Sequence, residues 1–181
     1  ISPKFPSPYL PREYQNIAYN NWVNNNFSGV FGMATGTGKT KTSLNCVVNE
    51  YKKTNNYYVI ILVPSIALLN QWEEEVLEFN FQNILKIGGG NNWEKEFSNY
   101  VSNFVAGIKK NLVIISTYAS FTSPKFKKYF NKIENDFILI ADEAHNMGAK
   151  NIKAAMNNSS IKKRIGLSAT PKRIYDPEGT E

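Results

Sequence analysis

Two stretches of this chain carry residues that could act together on a phosphate. The first is MATGTGKT, Met33 to Thr40. Gly36 and Gly38 let the backbone turn so that successive N–H groups, from Thr35 through Thr37 and beyond, point at phosphate oxygens, and a helix is expected to begin where the loop ends. Lys39 adds a mobile ammonium for β- and γ-phosphates, and the Thr40 hydroxyl suits coordination of Mg²⁺. The generic spacing G-x-x-x-x-G-K-[ST] expects glycine where this chain has Met33. The second stretch is FILIADEAHN, Phe137 to Asn146, an apolar run ending in adjacent carboxylates. Asp142 would hold Mg²⁺, directly or through water, while Glu143 would orient and deprotonate an attacking water. Taken alone, an Asp-Glu pair reads as a solvated helix cap. The preceding apolar strand and the upstream phosphate loop favour the catalytic reading. A zinc site at His145 lacks a ligand set, because His145 is the only histidine and Cys46 the only cysteine. That lone thiol forms no internal disulfide and is expected in the core.

For these groups to meet, both stretches must end strands on the same edge of a sheet. Five apolar, β-branched runs are short enough for strands: Val30 to Ala34, Tyr57 to Val63, Leu112 to Ser116, Phe137 to Ala141 and Ile165 to Ser168. They run continuously apolar without alternation, as strands of a parallel sheet covered on both faces do, and such sheets need helical crossovers. Helices are expected over Arg12 to Asn26, Lys39 to Tyr51, Ile66 to Phe79 and Trp93 to Ile108. Their core faces are read as Tyr14, Ile17, Ala18, Trp22 and Val23 in the first, Ile66, Leu69, Trp72, Val76 and Phe79 in the third, and Trp93, Phe97, Tyr100, Val101, Phe104 and Ile108 in the last. The three tryptophans are thereby assigned to packing rather than to base stacking. Gly88-Gly89-Gly90 reads as a loop. The alternation predicts a doubly wound α/β domain with a mostly parallel central sheet and helices on both faces, with ligands at the carboxyl edge of the strands.

At 181 residues, 42% hydrophobic and 20% charged, the chain suits one globular domain over 1–181. No apolar run approaches the length of a membrane span, and the Pro-rich start lacks a signal-peptide pattern, which points to a cytoplasmic protein with no membrane partner. The opening Ile1 and the closing DPEGTE, which carries no helix stop, read as the limits of a piece of a longer chain. A net charge of +6 favours an anionic partner. From Lys150 to Arg173 every charged residue is basic, Lys125, Lys127, Lys128 and Lys132 form a second cluster, and acids gather at Glu73 to Glu78 and at Glu94 and Glu96. A basic side and an acidic side are expected.

In order and spacing these elements resemble the superfamily 2 helicases and translocases, over nearly the whole chain. DEAH at Asp142 to His145 is followed by GLSATPKR at Gly166 to Arg173, which looks like the family's SAT motif. PREYQ, ending at Gln15, resembles the R-x-Y-Q adenine-recognition element, with Pro11 where leucine is usual. LVPSIALLNQW, Leu62 to Trp72, resembles motif Ia, and ISTYAS, Ile115 to Ser120, the T-Y element. The resemblance implies a RecA-like P-loop domain that binds ATP with Mg²⁺ and recognises adenine through Gln15. It also implies that His145, Ser168 and Thr170 couple hydrolysis to movement, that Ser65 and Thr117 touch the nucleic-acid backbone, and that Lys172 and Arg173 add contacts. Taken together, these motifs look more like the DNA-directed branch, with its repair helicases and restriction-enzyme translocation subunits, than like the RNA-directed branch. An RNA-remodelling enzyme and a nucleotide switch that moves along no polymer are the alternative readings. In the family a second RecA-like domain supplies arginine fingers, so the 181 residues alone are expected to bind nucleotide but hydrolyse it very slowly.

Overall fold

The continuous apolar runs become strands because helices cover both of their faces. The computed structural model describes residues 1–32, 37–90, 92–133, 136–143, 161–169 and 175–176, with backbone alone at Thr37, Tyr175 and Asp176. In chain order the elements are α1 (Glu13–Asn24), β1 (Ser28–Gly32), α2 (Thr37–Thr54), β2 (Tyr58–Val63), α3 (Ile66–Glu78), β3 (Ile84–Ile87), α4 (Trp93–Val105), β4 (Leu112–Thr117), α5 (Tyr118–Phe121), α6 (Pro124–Phe130), β5 (Ile138–Ala141), β6 (Lys163–Ser168) and β7 (Tyr175–Asp176). The strands form one sheet in the order β3-β4-β2-β5-β6-β1-β7. Six are parallel, and β7 runs antiparallel to β1.

Every residue of β2 is buried, and its side chains alternate between two cores. Val59, Ile61 and Val63 pack with Trp22 of α1, Leu44 and Val47 of α2 and Trp72 and Val76 of α3. Tyr58, Ile60 and Leu62 pack on the other face with Phe97 and Val101 of α4, Phe121 of α5 and Phe126 of α6. Each such aliphatic side chain, fully buried, contributes about 1.5–3 kcal/mol of transfer free energy. Cys46 lies wholly buried among the first set, and burial pushes its thiol well above the ordinary range.

Several sequence expectations need correction. The first strand starts two residues earlier than Val30, at Ser28, and Met33 and Ala34 of its expected end lie outside the described residues. In α1, Trp22 is buried as expected, but Tyr14 and Ile17 are about half exposed, and Gln15 and Tyr19 face inward instead. Two polar groups can be buried there because each is bonded: Gln15 Oε1 accepts the Arg12 N–H at 2.9 Å, and the Tyr19 hydroxyl donates to Glu50 at 2.6 Å. Ile66 and Ile108 are exposed, so the core stripe of α3 begins at Leu69 and α4 stops short of Ile108. Gly107 adopts φ +97°, and the Ile108 N–H reaches back to the Asn103 carbonyl, which closes the helix in a Schellman turn. Strands β3 and β7 are additions to the expected set.

At the opposite edge of the sheet from the strand ends, Glu50 of α2 accepts from Tyr19 of α1 and from Lys163 of β6 at 3.3 Å. Burial pushes this carboxyl up, but the hydrogen bonds from Tyr19 and Lys163 and the nearby Lys163 and Lys53 charges outweigh it, so Glu50 titrates below its ordinary value. Its stabilising share is therefore full above the ordinary glutamate range and is lost as pH falls through the lowered value. Glu50→Gln should lower the melting temperature most near neutral pH, with the gap to wild type closing in acid. A gap that does not narrow in acid, in melts followed by circular dichroism, counts against this.

Candidate active site at the carboxyl edge of the sheet

All six parallel strands end on one edge, so Gly32, Val63, Ile87, Thr117, Ala141 and Ser168 share it. Register aligns them closely: Leu62 lies beside Ala141, and Gly32 beside Ser168. Only β6 separates β1, which leads into the phosphate loop, from β5, which leads into Asp142.

Across that gap three charged side chains meet. Lys39, in the first turn of α2, places Nζ 2.7 Å from Glu143 Oε1 and 3.4 Å from Asp142 Oδ1. The Lys39 and Asp142 side chains are 8% and 6% exposed, and Glu143 is more open at 24%. Burial pushes the Lys39 ammonium toward lower pKa, but the hydrogen bond to Glu143 and the charges of Asp142 and Glu143 more than reverse this, so Lys39 titrates above the ordinary lysine value. It is a firmly charged cation serving two carboxylates.

Asp142 is held on every side. Its N–H donates to the Leu62 carbonyl at 2.8 Å, continuing the β2–β5 pairing by one residue. Its carbonyl accepts from the buried Tyr118 hydroxyl at 2.8 Å, and burial, with the Asp142 and Glu143 charges beside it, pushes that phenol well up. Oδ1 accepts the Glu143 N–H at 2.9 Å, and Oδ2 accepts the indole N–H of Trp72 at 2.8 Å. Glu143 sits at φ +54°, a left-handed conformation that costs a non-glycine residue about 1 kcal/mol or more.

The other expected residues fall as follows. Thr40 is half-buried on the first turn of α2, and Gly38, whose carbonyl accepts the Thr42 hydroxyl at 2.6 Å, lies beside it. Gln15 is buried and caps α1 through Arg12. Ser65 is exposed at the N-cap of α3. Thr117 is the N-cap of α5, where its hydroxyl accepts the Ser120 N–H. Gly88, at φ +141°, lies so close to Thr117 that a Cβ there would come within 2.9 Å of its methyl. Ser168 is buried at the end of β6. Thr35, Gly36, His145, Thr170, Lys172 and Arg173 lie outside the described residues, as does the Thr37 side chain. The structure thus brings together Lys39, Asp142 and Glu143, with Ser168 on the strand between. Trp72 and Tyr118, which sequence reading assigns to the core and to a motif respectively, prove to grip Asp142.

This donor set fits a nucleotide with Mg²⁺. Mg²⁺ takes oxygen ligands, usually one or two carboxylates with substrate phosphates. Asp142, fixed and beside a cation that a second cation can replace, and Thr40 would hold it.

Known proteins resemble this chain in sequence and in fold. The DNA 3'-5' translocase XPB2 of Sulfurisphaera tokodaii is 26% identical over 163 residues, covering 90% of this chain and 31% of that protein. The structure of a nuclease-deletion mutant of the Type ISP restriction-modification enzyme LlaGI, in complex with a DNA substrate mimic, matches with a TM-score of 0.71 at 27% identity, over 90% of this chain and 18% of that one. The ATP-dependent Type ISP restriction-modification enzyme LlaBIII, bound to DNA, matches with a TM-score of 0.68 at 28% identity, over 91% of this chain and 13% of that one. The chain spans less than a third of the length of the curated relatives it matches. The family model described as type III restriction enzyme, res subunit, matches residues 8–173, and the chain belongs to that family, with the RecA-like fold of the superfamily 2 helicases and translocases.

Proposed function

We propose that residues 1–181 are the ATP-binding domain of a cytoplasmic enzyme that couples ATP hydrolysis to movement along DNA. The observation that carries this is the contact of Lys39 with Glu143 and Asp142 across the ends of β1 and β5. On nucleotide binding, Lys39 leaves the two acids and turns to the β- and γ-phosphates. Glu143, released from Lys39, accepts a proton at Oε1 from the water that attacks the γ-phosphorus, as the bond to the ADP oxygen breaks. Mg²⁺, when bound with the nucleotide, neutralises charge on the phosphate oxygens. Gln15 Oε1, with one lone pair on the Arg12 N–H, keeps another for an adenine amino group. Ser65, Thr117, Lys172 and Arg173 would meet the DNA backbone. His145, Ser168 and Thr170 would transmit the state of the nucleotide, and a second RecA-like domain would supply the arginine that completes the site.

Phosphate release by the intact protein, measured with duplex DNA, single-stranded DNA and RNA, tests this. DNA should stimulate turnover and RNA should not. Stimulation by RNA alone would replace the reading with an RNA-remodelling enzyme, and no stimulation by any polymer with a nucleotide switch. In the same assay the 181-residue chain alone should bind ADP with Mg²⁺ yet turn over slowly. Vigorous DNA-stimulated turnover by it would refute the need for a second domain.

A further inference from the structure

Trp72 lies in the middle of α3 and is 2% exposed. A tryptophan buried for packing alone needs some acceptor for its N–H, and a nearby backbone carbonyl would suffice. Here the acceptor is Asp142 Oδ2, at 2.8 Å, and the Asp142 side chain is itself 6% exposed. An N–H to a carboxylate in such a place is a charge-assisted bond, about twice as strong as a neutral one. The final torsion of an aspartate side chain is soft, with no sharp staggered wells. Two donors on opposite oxygens, the Glu143 N–H on Oδ1 and the Trp72 indole on Oδ2, remove that freedom.

The indole is in turn fixed to the helix that carries Lys39. Lys41 of α2 pairs with Glu75 of α3 at 3.2 Å and lies over the Phe79 ring at the end of α3. Trp72 also packs in the core shared with Leu44 and Val47 of α2. The orientation of the acid is thus referred to the same helix that presents the phosphate-binding lysine.

We propose that Trp72 is a positioning residue whose indole N–H holds the Asp142 carboxylate in the plane needed to receive a divalent cation with the nucleotide. This rests on the reading of Asp142 as the acid that holds Mg²⁺. Loss of a hydrogen-bond partner that orients a metal-binding carboxylate typically lowers metal affinity by about 10- to 100-fold.

The test is the affinity of the intact protein for a fluorescent ADP, titrated in EDTA and in magnesium chloride, for wild type, Trp72→Phe and Asp142→Asn. Trp72→Phe keeps an aromatic ring in the core and removes the donor. It should leave the affinity in EDTA near wild type and reduce the gain on adding magnesium by about tenfold or more. An unchanged gain overturns the proposal, and so does an equal loss with and without magnesium, which is what packing alone would give. If Asp142→Asn also leaves the gain intact, the reading of Asp142 has failed rather than the role of Trp72. Should Trp72→Phe not fold, wild-type protein labelled with ¹⁵N in its indoles carries the test. The indole resonance that Asp142→Asn displaces should also move when magnesium joins the ADP complex. A resonance that stays still overturns the proposal.

Discussion

Lys39→Ala should reduce nucleotide turnover by the intact protein by about 10²–10³-fold or more, the scale on which removal of one preorganised charge-stabilising donor acts. The same substitution should destabilise the nucleotide-free protein, because it strips the cation from two carboxylates that lie 2.7 and 3.4 Å from it, one of them 6% exposed. Removing one partner of a buried ion pair costs about 3–5 kcal/mol, and the partial exposure of Glu143 puts the expected loss at or below the low end of that range. The pH dependence has a definite sign. Because Lys39 titrates above the ordinary lysine value, its contribution is full below about pH 10 and is lost only as pH rises through the raised value. The stability gap between wild type and variant should accordingly stay constant from neutral pH to mildly alkaline pH. Magnesium should raise the melting temperature of the variant more than that of wild type, since the vacated position lies between two acids. Phosphate release and thermal melts check these outcomes, and wild-type turnover in the variant would remove Lys39 from the mechanism.

The sheet is legible in the sequence where burial is two-sided. β2 and β5 are flanked by strands on both edges and by helices on both faces, so every position must be apolar and the run stands out. β3 is an edge strand of four residues that alternates half-buried and buried, with Lys86 paired to Glu73 on its open face. β7 is described over two residues, both paired with β1. Neither carries a run long enough to register. The face of α1 is legible at Ala18, Trp22 and Val23, which pack in the core, but not at Tyr14 and Ile17, because Gln15 and Tyr19 turn inward to partners far away in sequence or at the helix start. Lys39, Asp142 and Glu143 are legible because strand ends fix their positions. Their mutual contact is not, since it depends on β6 alone standing between β1 and β5. Trp72 falls in the core as its spacing predicts, but periodicity specifies only which way a ring points and not what its N–H meets.

Glu143→Gln should separate binding from chemistry. The amide has the size and shape of the carboxylate, and the left-handed backbone at φ +54° is no harder for glutamine than for glutamate, so the fold should be unchanged. The introduced amide oxygen could still accept from Lys39, but a neutral acceptor holds an ammonium about half as strongly as a charged one. Lys39 should therefore leave for the phosphates more readily, and ATP should bind as tightly as in wild type or a few-fold more so. An amide cannot take a proton from water, and loss of a positioned general base removes about 10²–10⁴-fold in rate. The expected signature is a kcat that falls by that factor with a KM that does not rise. Turnover within a few-fold of wild type would show that the proton leaves by another route, and a raised KM would show that Glu143 contributes to nucleotide binding instead. The same variant bears on the order of events. If departure of Lys39 from Glu143 limits nucleotide entry, the association rate of a fluorescent ATP should rise in Glu143→Gln and not in Trp72→Phe, because only the first weakens the 2.7 Å contact that must open.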